Sequence, residues 1–124
     1  MKVHQDPRHQ KRIEKFQKLF SYSFRPETYT ISEDIKPIID KLIKIDDYIQ
    51  KTAPEWPIAK LNKTDLAILR LSIYELLFEE NIPPKVVIDE AIEIGKEYGS
   101  ENTAKFINGV LGGILNKKIK KDSN

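Results

Sequence analysis

Apolar residues recur at intervals of three and four along almost the whole chain, and no stretch alternates as a half-buried strand does. The spacing i, i+3, i+4, i+7 places apolar side chains on one face of a helix. The pattern therefore predicts an all-α fold, a compact bundle of about five main helices with a short helical turn near Trp56.

The first predicted helix spans residues 7–24. Asp6 is placed to cap it, and Pro7 suits the first helical position because an N–H would have no partner there. Its predicted buried face consists of Ile13, Phe16, Phe20 and Phe24. The opposite face is basic and consists of Arg8, Lys11, Arg12 and Lys15.

A second helix is predicted from about residue 34 to residue 52, with Pro37 in its first turn, because proline in a helix interior removes a hydrogen bond. Its inward-facing side chains are Ile35, Ile38, Ile39, Leu42, Ile45 and Ile49. The next segment holds two prolines and the only tryptophan. We expect a tight connector there, with Trp56 sealing the core.

Asn62 is the expected N-cap of the third helix, and Asp65 can return a hydrogen bond as in a capping box. The core stripe of that helix is Leu66, Leu69, Ile73, Leu76 and Leu77. A fourth helix is predicted over residues 84–98, with Val87, Ile88, Ala91 and Ile92 buried. We expect Gly99 to end it in the left-handed conformation.

The last predicted helix, capped by Ser100, frays into a lysine-rich tail at residues 117–124. Phe106 lies off the centre of its apolar stripe, beside Lys105. Gly109 costs about 1 kcal/mol relative to alanine inside a helix, so we expect it to let another helix approach closely.

Composition limits the class of protein. The 124 residues and 14.4 kDa fit one domain, residues 1–124, and 32% charged residues with a mean hydropathy of −0.49 predict a soluble globular protein. Apolar runs are too short for a membrane helix, the N-terminus lacks the apolar region of a secretory signal, and cysteine is absent. These features predict a cytoplasmic protein without disulfides.

Basic residues concentrate at the two ends of the chain. The net charge is only +2, yet the first 25 residues hold seven basic residues against two acidic ones, and the last eight hold four lysines against one aspartate. This distribution, more than the net charge, indicates an anionic ligand.

Catalysis is not predicted. The two histidines, His4 and His9, have no third ligand at a useful spacing, and acidic neighbours such as Glu79 and Glu80 point about 100° apart on a helix. The sequence contains no phosphate-binding loop and no nucleophile elbow. We therefore expect no enzyme, no metal and no cofactor.

Nucleic-acid binding is the better hypothesis. The basic face of the first helix includes Arg8 and Arg12, whose guanidinium groups suit phosphate, and it lies at a helix N-terminus, which favours anions. Phe20 and Tyr22 follow as candidates for stacking. The alternative is an ordinary solvated face.

Two stretches resemble a known family. The sequence "LNKTDLAILRLSIYELLF" followed by "IPPKVVIDEAIEIGKEYGSENTAKFINGVL" is very similar to the C-terminal half of the NusB family of transcription antitermination factors, nearly without a gap over residues 61–111. The stretch "RHQKRIEKFQKLF", residues 8–20, resembles the family's arginine-rich first helix, with His9 and Gln10 where arginine is commoner.

The resemblance implies a NusB-like all-α fold whose best-matching part is residues 61–119 and whose N-terminal subdomain is shortened. It implies a non-catalytic factor that binds single-stranded boxA RNA of ribosomal RNA leaders, usually with the ribosomal protein NusE, in an antitermination complex with RNA polymerase. Two alternatives stay open. One is a protein-interaction module or homodimer without RNA binding, and the other is a stand-alone relative of the NusB-like domain of ribosomal RNA methyltransferases.

Carried over by position, the family's RNA surface consists of Arg8, His9, Arg12, Asn102, Lys105 and Phe106. Arg8, Arg12 and Lys105 would contact phosphate, and Phe106 would stack on a base unless it belongs to the edge of the core. The RNA hypothesis requires these groups to converge on one surface.

Two further points follow from the resemblance. Asn102 stands where the family often has an acidic residue, so repulsion of phosphate is removed. Phe20 and Asp65 would face NusE on one exposed patch beside the RNA surface.

Overall fold

The computed structural model describes residues 6–123 and contains six α-helices and one 3₁₀ turn in that range. The first five residues, including His4, and Asn124 lie outside the described residues. In chain order the elements are α1 (Pro7–Phe24), α2 (Lys36–Asp40), α3 (Leu42–Thr52), the 3₁₀ turn (Ile58–Lys60), α4 (Lys63–Phe78), α5 (Pro84–Tyr98) and α6 (Glu101–Ser123). The predicted all-α fold and the helical turn near Trp56 are confirmed.

Capping side chains set the start of two helices as predicted. Asp6 Oδ1 accepts the backbone N–H of Arg8 at 2.9 Å, and α1 occupies the predicted residues. Asn62 Oδ1 accepts the backbone N–H of Asp65 at 2.8 Å, which begins α4. The bounds predicted for α5 are also confirmed.

The single helix predicted over residues 34–52 is wrong. Lys41 has φ −104° and ψ 9°, and its N–H donates to the carbonyl of Ile38 only three residues back, so α2 closes there and α3 begins anew. Ile38 and Ile45, on the two sides of the break, are both fully buried, whereas Ile43 is 92% exposed.

Helix α4 is the centre of the bundle, and α1, α3, α5 and α6 all pack against it. Every residue from 65 to 73 is buried, so the predicted stripe is only part of its core surface. Buried Arg70 donates to both carboxylate oxygens of Asp46 on α3, at 3.0 and 2.8 Å, and to Ser23 Oγ of α1 at 3.3 Å. The positive charge of Arg70 is therefore paired, as a buried guanidinium requires.

Two aromatic side chains predicted for the core lie outside it. The buried face of α1 is His9, Ile13, Phe16 and Leu19, and it leads on to Ser23, so Phe24 points outward and is 58% exposed. Trp56 is 50% exposed. The Gln50 side chain holds the backbone of this connector. Its Nε2 donates to the Trp56 carbonyl at 3.3 Å, and its Oε1 accepts the Ile58 N–H at 3.2 Å. The Trp56 indole itself lies outside the core.

Glycines bring helices together, but not at the expected positions or for the expected reason. Gly99 has φ −114°, so its predicted left-handed conformation is wrong. A Cβ at Gly99 would lie 2.6 Å from Thr103 Oγ1, so glycine is needed for the close approach of α6. A Cβ at Gly109 would meet no described atom outside its own helix within 4 Å, whereas one at Gly113 would lie 2.8 Å from the methyl group of Thr52.

Helix α6 continues through the lysine-rich segment to Ser123, so the predicted fraying is wrong up to that residue. Lys117 Nζ donates to Thr52 Oγ1 and Lys118 Nζ to the Leu76 carbonyl, each at 3.2 Å, and these bonds hold the start of the lysine-rich segment against the bundle. Within residues 6–123 no helix combines the length and the apolar character needed to span a membrane.

Candidate nucleic-acid interface

Arg8 is the most exposed of the predicted RNA-binding side chains on α1. Its side chain is 84% exposed and pairs loosely with the N-cap residue, with Nη2 3.3 Å from Asp6 Oδ2. The Arg8 backbone N–H also bonds that carboxylate and, with the guanidinium, holds the pKa of Asp6 below its ordinary value. An exposed ion pair of this kind contributes little and can exchange for phosphate.

Arg12 is not on a solvated basic face, contrary to the prediction. Its side chain is 13% exposed, and Nε donates to both carboxylate oxygens of Glu75 at 2.9 and 3.0 Å. Nη1 lies 3.4 Å from Glu90 Oε1. Burial opposes the charge of Arg12, but the two carboxylates raise the guanidinium pKa above its ordinary value. Arg12 therefore joins α1 to α4 and α5.

His9 is also turned inward. The residue is 5% exposed, with Nδ1 2.9 Å from Glu90 Oε1 and Nε2 3.9 Å from Glu97 Oε2. The buried carboxylate of Glu90 thus contacts both His9 and Arg12. The expectation that His9 presents its ring to RNA does not fit this position, because reaching a ligand would break a buried hydrogen bond.

A groove of about 810 Å³ runs beside the N-terminal half of α1. Its charged lining includes Arg8, Lys11 and Lys15 of α1 together with Glu33 and Glu79. Its apolar lining includes Pro37, Ile38, Leu71, Ile82 and Val86. The groove is therefore of mixed charge, and its cationic part is the α1 edge that carries Arg8 and the exposed Lys11.

A second groove, of about 570 Å³, separates the 3₁₀ turn from the start of α6. The rings of Trp56 and Phe106 meet edge to face in it, with centroids 6.1 Å apart and planes at 74°. The other lining residues are Lys60, Leu61, Asn62, Asp65, Ser100, Asn102 and Thr103. We call this the Trp56–Phe106 groove. The half-buried Phe106 both packs against the core and borders open space.

Asp65 lies at the Trp56–Phe106 groove and not on an exposed patch, so that part of the prediction is wrong. The residue is 8% exposed, and its Oδ1 is buried without a hydrogen-bond partner among the described residues. Burial raises the pKa of the Asp65 carboxyl, while the side chains of Thr103 and Asn62 act in the opposite direction. The first turn of α4 is thus crowded around an incompletely paired carboxyl group.

Phe20 belongs to a row of aromatic rings along α1. Its ring lies 6.4 Å from that of Phe16 and 5.0 Å from that of Phe24, and Phe16 lies 5.1 Å from Tyr98 of α5. Phe24 is 58% and Tyr98 40% exposed, while Phe20 is half-buried. The row forms an aromatic surface that could receive a protein partner.

The predicted RNA-binding residues divide between the two grooves. Arg8, His9 and Arg12 line the first groove, and Asn102 and Phe106 line the second, with exposed Lys105 next to Phe106. Among the described lining residues, none is common to the two grooves. The convergence required by the RNA hypothesis stays a prediction, with exposed Arg8 and Lys105 as its cationic members.

Sequence reasoning missed three residues that shape these sites. Trp56 was expected in the core, yet it forms a wall of the second groove, and its place between two prolines is the signal of an irregular, outward connector. Glu75 and Glu90 neutralise α1 from other helices, and no local pattern indicates that pairing.

The sequence matches the NusB family over residues 25–116. Transcription antitermination protein NusB of Thermotoga maritima is 47% identical over 88 residues, which cover 71% of this chain and 62% of that protein. The protein of the same name from Clostridium botulinum (strain Kyoto) is 51% identical over 81 residues, which cover 65% of this chain and 57% of that protein. Each match thus spans less than two thirds of the relative.

Solved structures give the same answer for the fold. The T. maritima NusB structure superposes with a TM-score of 0.77 at 40% identity and covers 92% of both chains. A structure described as antitermination factors NusB and NusE in complex with double-stranded RNA superposes with a TM-score of 0.76, covering 90% of this chain and 99% of that one. At 24% identity, that likeness concerns the fold alone. From the family match over residues 25–116 and these relatives, the chain belongs to the NusB family.

Proposed function

We propose that this protein is an RNA-binding transcription antitermination factor. In this proposal it binds the boxA element of ribosomal RNA leaders together with NusE and suppresses termination by RNA polymerase. The observation that carries the proposal is the 47% identity to a protein named for transcription antitermination. The proposed role is non-catalytic and cytoplasmic.

Exposed cations next to the two grooves support the RNA part of the proposal. Arg8 and Lys11 lie on the outer edge of α1, and Lys105 lies on α6 beside Phe106. Such side chains bind phosphate oxygens and set affinity without reading sequence. The inward-facing His9 and Arg12 hold α1 in place, so their contribution to RNA binding is indirect.

The aromatic row on α1 and α5 supports the NusE part. A structure with this fold is described as NusB and NusE with RNA, so both classes of partner have a precedent on the same scaffold. Phe24 and Tyr98, with the half-buried Phe20 next to Phe24, supply aromatic area of the kind that protein interfaces favour. Asp65 is buried and is not part of the proposed NusE contact.

The test is a titration of fluorescein-labelled boxA RNA with and without purified NusE, followed by anisotropy. We expect binding that tightens with NusE, that weakens in Arg8→Ala and Lys105→Ala, and that loses the NusE effect in Phe20→Ala. Glu27→Ala, an exposed change on the loop after α1, is the control for general effects on the protein. Recovery of NusE in a pull-down without any RNA binding would show a protein-interaction module and contradict the RNA part.

A further inference from the structure

The Trp56–Phe106 groove contains a feature that the packing of the chain does not explain. Asp65 Oδ1 is buried and accepts no hydrogen bond from the described residues. A buried acceptor without a donor costs free energy, and native structures seldom retain one without a ligand, water or functional role. A ligand that brings an N–H group to this oxygen would supply the missing bond.

The walls of the groove define the shape of such a ligand. Trp56 and Phe106 contact edge to face at 6.1 Å, and the indole is 50% exposed, so a flat aromatic group can stack on its face. Lys60 lines the same groove and Lys105 lies beside Phe106, and both are exposed. Cations that flank an aromatic platform are the arrangement with which proteins hold single-stranded nucleic acid.

We propose that the Trp56–Phe106 groove holds one unpaired nucleobase whose exocyclic amino group donates to Asp65 Oδ1. The inference rests on the proposed RNA-binding function, and it assigns the recognition of one base to this groove. Trp56 is the stacking platform, Asp65 selects an amino group over a carbonyl, and Lys60 and Lys105 bind the adjoining phosphates. Because Oδ1 is buried, the base reaches it only if side chains that line the groove shift.

Cytosine and uracil form a matched pair for testing this selection. Position 4 carries an amino donor in cytosine and a carbonyl acceptor in uracil, and the N3–H donor of uracil lies between two carbonyl oxygens, which would face the carboxylate. A carboxylate oxygen accepts a hydrogen bond from the amino group of cytosine and repels the carbonyl oxygen of uracil. We therefore expect oligocytidylate to bind about tenfold more tightly than oligouridylate of equal length, the effect of about one charge-assisted hydrogen bond.

The only tryptophan of the chain is Trp56, so its fluorescence reports directly on the groove. In each titration, the anisotropy of a fluorescein label on the RNA measures total binding, and tryptophan emission measures occupancy of the groove. We expect oligocytidylate to change both signals with the same apparent Kd. Oligouridylate should bind more weakly and change the tryptophan emission less.

Three variants assign the roles. Asp65→Asn keeps the size of the side chain but offers both an acceptor and a donor, so the preference for cytosine should fall to near unity. Trp56→Ala should weaken oligocytidylate binding about tenfold through lost stacking, whereas Trp56→Phe should retain most of it. Ile43→Ala, which truncates an exposed apolar side chain on α3 outside the groove, is the control and should bind as the parent does. Circular dichroism checks that every variant is folded.

The outcomes separate this inference from the proposed function. If anisotropy shows RNA binding that depends on Arg8, while cytosine and uracil bind equally and the Trp56 signal stays constant, the base site is wrong and the proposed function stands. If neither the oligonucleotides nor boxA RNA bind, with or without NusE, both are wrong. A Trp56 response to NusE alone, with none to RNA, would assign the groove to the protein partner and overturn the base site.

Discussion

The guanidinium of Arg12 lies 2.9 Å from the carboxylate of Glu75, and this pair joins the N-terminal half of α1 to the C-terminal half of α4. The two side chains are only 13% and 7% exposed. Glu90 of α5 approaches the same guanidinium at 3.4 Å and also bonds His9 at 2.9 Å. A residue that the sequence places on a phosphate-binding face is therefore part of the contact between three helices.

Arg12→Ala should lower the free energy of unfolding by about 3–5 kcal/mol, because it leaves the buried carboxylate of Glu75 without its partner. Urea denaturation followed by circular dichroism measures the change. Lys11→Ala, an exposed basic residue one position earlier on the helix, is the matched control and should change stability by less than about 0.5 kcal/mol.

The double variant Arg12→Met with Glu75→Gln completes this test. Removing both charges together should cost less than removing Arg12 alone, since no buried carboxylate is left unpaired. A fully stable Arg12→Ala protein that has lost RNA affinity would instead mean that Arg12 serves RNA directly, as the sequence suggests.

Arg8 should account for one phosphate contact. For single-stranded RNA, log K falls with log salt by about 0.7 per phosphate contact, so Arg8→Ala should make the slope shallower by about 0.7. The measurement is boxA RNA affinity across a series of salt concentrations. Lys44→Ala, which removes an exposed cation from α3, should leave the slope unchanged. A slope that responds to neither variant would place the phosphates elsewhere on the protein.

The sequence predicts a helix boundary well where residues next to that boundary determine it. Asp6 with Pro7 begins α1, and Asn62 begins α4, because an N-cap acts on backbone groups two or three positions away. The break at Lys41 has no such signal, since the apolar spacing runs through it without interruption. Local chemistry thus predicts ends better than it predicts bends.

The electrostatic character of α1 could not be predicted from its own residues. Arg12 and His9 are paired with Glu75 and Glu90, which lie on other helices more than sixty residues along the chain. A helical wheel shows which cations share a face, but not which carboxylates the fold brings to that face. The same reason applies to Asp65, whose burial depends on how the start of α6 packs over α4.

Gly99→Ala and Gly109→Ala should change stability in opposite directions. At Gly99 the new methyl would lie 2.6–2.8 Å from three atoms of the Thr103 side chain, so the junction between α5 and α6 would have to shift, at a cost of about 1–3 kcal/mol. At Gly109 the methyl meets no described atom outside its own helix within 4 Å, and alanine should stabilise the helix by up to about 1 kcal/mol. Urea denaturation of both variants under one condition makes the comparison, and the same sign for both would contradict it.

Asp65 should make the protein less stable as the pH rises. Burial raises the pKa of its carboxyl above the ordinary value of 3.8, so the folded state binds this proton more tightly than the unfolded chain does. The resulting stabilisation is present below that ordinary value and is lost as the pH rises through the higher folded pKa. Asp65→Asn removes the titration, so the variant should gain stability relative to the parent over that pH range.

Asp34 provides a control of opposite sign. Although burial opposes it, hydrogen bonds from Lys18, with Nζ 2.8 Å from Oδ2, and from Ser32 hold the pKa of Asp34 below its ordinary value. Its stabilisation is present above the ordinary value and is lost as the pH falls through the lower folded pKa. Relative to the parent, Asp34→Asn should therefore be less stable at neutral pH, and the gap should close in acid.

Urea denaturation at constant ionic strength from acid to neutral pH measures both variants. Parallel stability curves for Asp65→Asn and the parent would show that burial does not raise the pKa of the Asp65 carboxyl. Only a pKa that differs between the folded and unfolded states makes the two curves diverge.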